Sequence, residues 1–175
     1  MGSSKKREFS PLTMAVLTVS DTRTEETDSS GKTLVDKLTE AGHILGEKVI
    51  LHDNIYEIRA VVARWIADPA IKVVLITGGT GMTGRDVTPE AVAPLFDKEI
   101  VGFGELFRWL SYEEIKTSTI QSRAIGGLSG GTLIFCLPGS TGACRTAWDK
   151  ILNDQFDSRH GPCNFVELLP RLQEK

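Results

Sequence analysis

The run Val73-Val74-Leu75-Ile76-Thr77-Gly78-Gly79-Thr80-Gly81 constrains this chain more than any other stretch. Four apolar, mostly β-branched residues lead into a loop with three glycines in four positions. A short apolar run bounded by turn residues is the pattern of a strand buried on both faces. Glycines at its C-terminal end let the backbone bend and bring N–H groups close to a ligand, usually an anion. Arg85, Asp86, Thr88, Pro89 and Glu90 follow, placing charged groups and a helix start beside the loop. Ligands bind at such a place in an open α/β sheet, although a glycine-rich turn with no ligand has the same pattern.

The elements around this run agree with such a sheet. Met14 to Ser20 reads as a first buried strand, ending in Ser20-Asp21-Thr22-Arg23. The acidic, Ser/Thr-rich loop Thr24–Ser30 is either mobile or a cover for a site. Leu34, Leu38 and Ala41 recur at helical spacing until Gly42. A second strand, Gly46 to Leu51, ends at His52-Asp53-Asn54, and Ile55, Ile58, Val62 and Trp65 mark the next helix. The order β-α-β-α-β predicts an α/β fold with parallel strands joined by right-handed crossovers. Thr88-Pro89 reads as a helix start, with Thr as cap and Pro in the first position. A longer helix is predicted from about Gly104 to Ile115, then a Ser/Thr/Gly-rich stretch over 117–131 that carries no clear element. Thr132 to Leu137 is another buried strand, stopped by Pro138-Gly139-Ser140-Thr141-Gly142, and Cys144, Ala147, Trp148, Ile151 and Leu152 mark a final helix.

With 175 residues, one domain is expected, over 13–175 after a flexible tail at 1–12. A formal net charge of -3 argues against general nucleic-acid or membrane affinity, so an anionic ligand needs local cations, backbone N–H groups or a metal. Cys136, Cys144 and Cys163 are odd in number and lack close pairing, so no disulfide framework is read. No apolar run approaches the roughly 18 residues of a membrane span, and no signal-peptide pattern is read. The expected location is cytoplasmic.

Two motif matches fail on context. Gly79-Thr80-Gly81-Met82-Thr83-Gly84 fits the dinucleotide pattern G-x-G-x-x-G, but it follows the third strand and Pro89 delays the helix. Gly127-Leu128-Ser129-Gly130-Gly131 fits the serine-hydrolase pattern G-x-S-x-G, yet a strand rather than a helix follows the serine. His43, His52 and His160 lack metal-ligand spacing. Arg85, Arg123 and Arg145 sit near strand ends or loops, where each is a phosphate ligand or a solvated ion pair. Asp21, Asp53 and Asp86 each fall just past a predicted strand end. In a parallel sheet those ends share one edge, so the three carboxylates can meet in one crevice. Carboxylates beside glycine loops suit a Mg²⁺ ion held between protein and phosphates.

An ordered set of short motifs carries a family resemblance. Gly78-Gly79-Thr80-Gly81, Gly84-Arg85-Asp86-Val87-Thr88-Pro89-Glu90, Gly102-Phe103-Gly104-Glu105, Ser122-Arg123 and Leu137-Pro138-Gly139-Ser140 together resemble the MoaB/MogA family of molybdenum cofactor biosynthesis proteins, most like its MoaB branch. The resemblance implies a three-layer α/β/α domain that binds molybdopterin, a dithiolene pterin with a terminal phosphate. It further implies Mg²⁺ and ATP as cofactor and co-substrate for adenylylation of that phosphate, with pyrophosphate released. By position Asp53 and Asp86 match the family's catalytic aspartates, which also implies a role in holding Mg²⁺. Gly78, Gly79, Thr80, Gly81, Glu105, Ser122, Gly139 and Ser140 match its ligand-contacting segments. A homo-oligomer, trimer or hexamer, is implied, with a downstream molybdenum-insertion protein as a further partner. A non-catalytic pterin-binding or scaffold protein of the same pathway is the alternative.

Overall fold

The structure, a computed structural model, describes residues 7–174. In chain order come β1 (Thr13–Val19), α1 (Ser29–Glu40), β2 (Ile44–Leu51), α2 (Ile55–Ala67), β3 (Val73–Thr77), α3 (Thr88–Val92), β4 (Lys98–Glu99), α4 (Val101–Ile115), β5 (Ile125–Ser129), β6 (Thr132–Leu137), α5 (Thr141–Ala147), α6 (Asn153–Phe156) and α7 (Phe165–Leu168). A 3₁₀ stretch, Lys116–Gln121, follows α4, and a π-helical stretch, Trp148–Leu152, joins α5 to α6.

The strands form one sheet in the order β2-β1-β3-β6-β5-β4. β1 pairs in parallel with β2 and β3, and β3 with β6, while β5 and β4 add antiparallel strands at one edge. Alternate side chains of each central strand go to opposite faces. Met14, Val16, Val73, Leu75, Leu133 and Phe135 pack under Leu34 and Leu38 of α1, Phe103 and Phe107 of α4, and Cys144 and Ala147 of α5. Ala15, Leu17, Val74, Ile76, Ile134 and Cys136 pack against Ile58, Val62 and Trp65 of α2 and Ala91 and Val92 of α3. The result is a three-layer α/β/α sandwich with a mostly parallel sheet, as the sequence predicts. The three central strands β1, β3 and β6 are buried along almost their whole length, which explains their unbroken apolar runs.

The stretch over 117–131 departs from the sequence reading, because it holds β5. Gly126 and Gly127 weaken its strand signal, but aromatic packing requires both. A Cβ on Gly126 would stand 2.9 Å from the Phe135 ring, and one on Gly127 would enter the Phe96 ring. Ser129, the serine of the hydrolase-like pattern, is buried at the end of β5 and donates its hydroxyl to the Leu95 carbonyl, so it presents no nucleophile. Thr88 also departs from expectation. It is the first residue of α3 rather than its cap, and no side-chain cap bond is made there.

Of the predicted tail, residues 1–6 lie outside the described residues. Residues 8–12 lie against the body: Ser158 Oγ accepts from Ser10 N–H at 2.9 Å and donates to the Glu8 carbonyl at 2.7 Å. Phe9 packs on the His43 ring at 5.2 Å, and Leu12 is buried. No helix of the described residues is long and apolar enough to cross a membrane.

Candidate functional site

Because β1, β2, β3 and β6 run in parallel, the loops after them emerge at one edge of the sheet. The chain leaves β1 for β2 on one side and reaches β3 on the other, so a crevice opens at this topological switch. That crevice has a volume of about 600 Å³. Its lining includes Asp21 after β1, Asp53 after β2, Gly78–Gly81 after β3 and Gly139 and Ser140 after β6.

The glycine loop is shaped by contacts that leave no room for side chains. Gly78 has φ +100°, and a Cβ there would collide with the Val19 carbonyl oxygen. Gly79 has φ +63°, and a Cβ there would stand 2.7 Å from Asp53 Oδ1. The Thr88 hydroxyl donates to the Gly78 carbonyl at 2.8 Å, and Thr88 N–H to the Gly79 carbonyl at 2.9 Å. This is why Thr88 does not cap α3: its hydroxyl ties the helix to the loop. The Gly78 N–H donates to the Leu137 carbonyl at 3.0 Å, so it is withdrawn from the anion cradle expected of this loop. Gly139 packs onto Gly78, with its Cβ position 3.2 Å from Gly78 Cα.

Asp21, Asp53 and Asp86 do converge. Asp53 N–H donates to Asp21 Oδ1 at 3.3 Å. Burial pushes the Asp53 carboxyl up from its ordinary range, and the Asp21 and Asp86 carboxylates push it further. Its Oδ1 is buried and has no hydrogen-bond partner. Asp86 is shifted the other way: the Thr83 hydroxyl, at 2.7 Å, holds its carboxyl below the ordinary range against the opposing effect of burial. Thr83 N–H, at 2.8 Å, and Arg123 add to that lowering. Burial raises the Asp21 carboxyl, but Arg85 and the Asp53 N–H outweigh it and leave it lowered.

The arginines behave differently from the sequence expectation. Arg85 pairs with Asp21. Arg123 donates to the carbonyls of Gly81 at 2.7 Å and Asp86 at 2.9 Å, and it also pairs with Glu90. It therefore brackets the loop from behind instead of lining the crevice. Arg145 does not line the crevice either. Arg23 does, with its guanidinium donating to the Thr27 carbonyl at 2.6 Å. The Thr24–Ser30 loop that carries this contact is pinned by Lys48, which bridges Glu25 at 2.8 Å and the fully buried Asp28 carboxylate at 2.9 Å.

Of the remaining predicted residues, Thr80 is buried in the loop and lines the crevice. Ser122 lines it with a buried, unpartnered Oγ. Ser140 accepts from Ala143 N–H at 3.1 Å as the cap of α5, leaving its hydroxyl proton free to face a ligand. Glu105 does not join them. Phe103, Phe107 and Ser111 are the buried side of α4, and Glu105 lies two residues from Phe107, about 200° round the helix and exposed. The sequence reading missed Glu114 and Thr146, which line the crevice from α4 and α5. Neither belongs to a motif, and only the packing of α4 beside α5 brings them together.

Comparison with known proteins identifies the family. The family described as "Probable molybdopterin binding domain" matches residues 15–158. Molybdenum cofactor biosynthesis protein B of Escherichia coli (strain K12) is 58% identical over 158 residues, covering 90% of this chain and 93% of its own. The protein of the same name from Bacillus cereus is 49% identical over 149 residues, covering 85% and 88%. A crystal structure of molybdenum cofactor biosynthesis protein B superposes with a TM-score of 0.85 at 43% identity, covering 95% of this chain and 98% of that one. The tungsten cofactor synthesizing protein MoaB from Pyrococcus furiosus superposes with a TM-score of 0.77 at 32% identity, covering 94% and 98%. On sequence and architecture alike, this chain belongs to the MoaB/MogA family of molybdenum cofactor biosynthesis proteins.

Proposed function

We propose that the protein binds molybdopterin and adenylylates its terminal phosphate with Mg-ATP, releasing pyrophosphate. The observation that carries this reading is the meeting of Asp21, Asp53 and Asp86 beside the glycine loop, with Asp53 Oδ1 buried and unpartnered. An orphaned carboxylate oxygen in a crevice is a ligand position waiting for a partner. Among the described residues no group of three or more His, Cys, Asp or Glu side chains forms a metal cage by itself. Mg²⁺ fits nonetheless, because it is commonly held by one or two carboxylates together with substrate phosphates. Asp53 and Asp86 would hold it, and when bound it would offset the repulsion between two polyanions and stabilise the leaving pyrophosphate.

The chain's own residues supply position. The Gly78–Gly81 turn lets phosphate oxygens approach the backbone without steric block. Ser122 and Ser140 offer hydroxyls to the ligand, and Asp21 orients Asp53 through its backbone N–H. The pterin phosphate oxygen attacks the α-phosphorus, a P–O bond forms there, and the bond to the β-phosphate oxygen breaks. No protein nucleophile is needed, so alignment in the crevice supplies much of the rate. Self-association as a trimer or hexamer, and transfer of product to a molybdenum-insertion protein, belong to the same proposal.

One observation favours a non-catalytic pterin-binding protein as second reading. Arg85 and Arg123 are engaged by Asp21 and Glu90, which leaves Arg23 to face the four carboxylates of the crevice, so without a metal the crevice disfavours a triphosphate. Incubation with molybdopterin, ATP and Mg²⁺ separates the two. Adenylylated pterin and pyrophosphate are expected from the wild type, with turnover down at least about a hundredfold in Asp53→Asn and in Asp86→Asn. Pterin binding without pyrophosphate release would establish the second reading instead.

A further inference from the structure

The crevice is lined by a fourth carboxylate, Glu114, that the phosphate chemistry does not use. It comes from α4, whereas Asp21, Asp53 and Asp86 come from loops at the sheet edge. The carboxylates that raise Asp53 are Asp21 and Asp86. Glu114 is held in place. The Thr146 hydroxyl lies 3.1 Å from Oε1 and 3.3 Å from Oε2, and Lys150 Nζ lies 3.1 Å from Oε1. Lys150 also reaches Glu113 at 3.6 Å. A carboxylate has about four acceptor positions, so these two partners leave both oxygens able to accept further bonds. Beside it the wall is apolar, with buried Phe107 and half-exposed Ile115 both lining the crevice.

Such a corner rejects phosphate, because an anion next to a carboxylate needs a cation that Lys150 alone, already paired, does not supply. It suits a flat heterocycle that presents two donors side by side. The 2-amino-4-oxo ring of a pterin has that edge, with N3–H next to the 2-amino group, matched to two carboxylate oxygens. Adenine does not, since its pairing edge is one donor beside one acceptor. We infer that Glu114, oriented by Thr146 and Lys150, is the residue that recognises the pterin ring, reading its N3–H and 2-amino edge while the ring face lies against Phe107 and Ile115. This rests on the pterin reading proposed above. It also orients the ligand, with the heterocycle at the α4–α5 wall and the phosphate towards the glycine loop.

Glu114→Gln is a near-isosteric change at a side chain that is 48% exposed, and it replaces two acceptors by one acceptor and one donor. That pair suits a lumazine, in which the 2-amino group is replaced by oxygen. Fluorescence titrations with 6-hydroxymethylpterin and 6-hydroxymethyllumazine read the effect. Wild type should prefer the pterin, and Glu114→Gln should weaken the pterin by about ten- to a hundredfold while tightening the lumazine. Thr146→Val, which removes only the orienting hydroxyl, should weaken the pterin by a few-fold and narrow the preference. An unchanged pterin-to-lumazine ratio in Glu114→Gln overturns the assignment and leaves the pterin reading standing. Failure of wild type to bind either ring, with ATP still bound, overturns the pterin reading itself.

Discussion

Half-buried Asp53 and buried His43 show how two titratable residues act in opposite directions on function and stability. The Asp53 carboxyl is raised by burial and by two neighbouring carboxylates, so its ionised form destabilises the folded state above that raised value. The strain is relieved as pH falls through it. Asp53→Asn should therefore be more resistant to urea than the wild type at pH 7 while losing turnover, an exchange of stability for function that urea titration and the adenylylation assay measure together. His43 is buried and neutral: its Nδ1 accepts from Leu12 N–H at 3.2 Å, and its ring packs against Phe9, Trp148 and Phe156. Burial lowers it from 6.5 to about 4, against the opposing charge of Asp157. With the folded value depressed, the unfolded chain binds the extra proton. The contribution of His43 is thus complete above pH 6.5 and is lost as pH falls towards 4, by roughly 3 kcal/mol. His43→Phe should cost stability at pH 7, by orphaning the Leu12 N–H, but should lack the extra loss between pH 6.5 and 4. Urea unfolding of both proteins at several pH values checks the difference in slope. Sequence spacing showed no metal-ligand pattern at His43 and carried no sign that Phe9 and Leu12 lie against it, because the Leu12 contact spans 31 residues.

At the scale of elements, the glycine loop works because α3 and β1 close on it. Gly78→Ala meets both a positive φ and the Val19 carbonyl oxygen, and backbone atoms of a central strand cannot move aside. The expected loss is about 3 kcal/mol in urea unfolding, together with loss of ligand binding. Thr88 was legible as a helix start, yet its real work, holding the carbonyls of Gly78 and Gly79, depends on where α3 lands. Arg123 is similar. Its neighbourhood to glycine loops suggested phosphate, but Gly81, Asp86 and Glu90 already surround it. β5 escaped the sequence reading because glycine lowers strand propensity, and the rings of Phe96 and Phe135 that demand glycine lie elsewhere in the chain.

For the molecule as a whole, α4 leaves an unpaired apolar face. Val101, Trp109 and Tyr112 are 56%, 69% and 49% exposed, and Glu105 lies on the same side of the helix. Large exposed apolar side chains gathered on one side of a helix mark an interaction surface. The proposed trimer or hexamer would bury it, so Trp109→Asp should shift the sedimentation profile towards monomer while the monomer's circular dichroism is kept. Sedimentation of the wild type as a monomer would remove the oligomer from the proposal.

The sequence by itself determined the parallel α/β core, the place of the glycine loop and the candidate aspartates. These follow from local rules: apolar runs, helical spacing and glycines just past strand ends. Only the tertiary structure decided which polar groups are available to a ligand. Asp53 Oδ1 and Ser122 Oγ are left unpartnered, whereas Arg85, Arg123 and the Gly78 N–H are engaged. It also turned Glu105 away from the crevice and brought Glu114 to its wall. Hydrogen-bond and charge partners are chosen by proximity in space, and the chain brings together residues tens of positions apart, which no local pattern encodes.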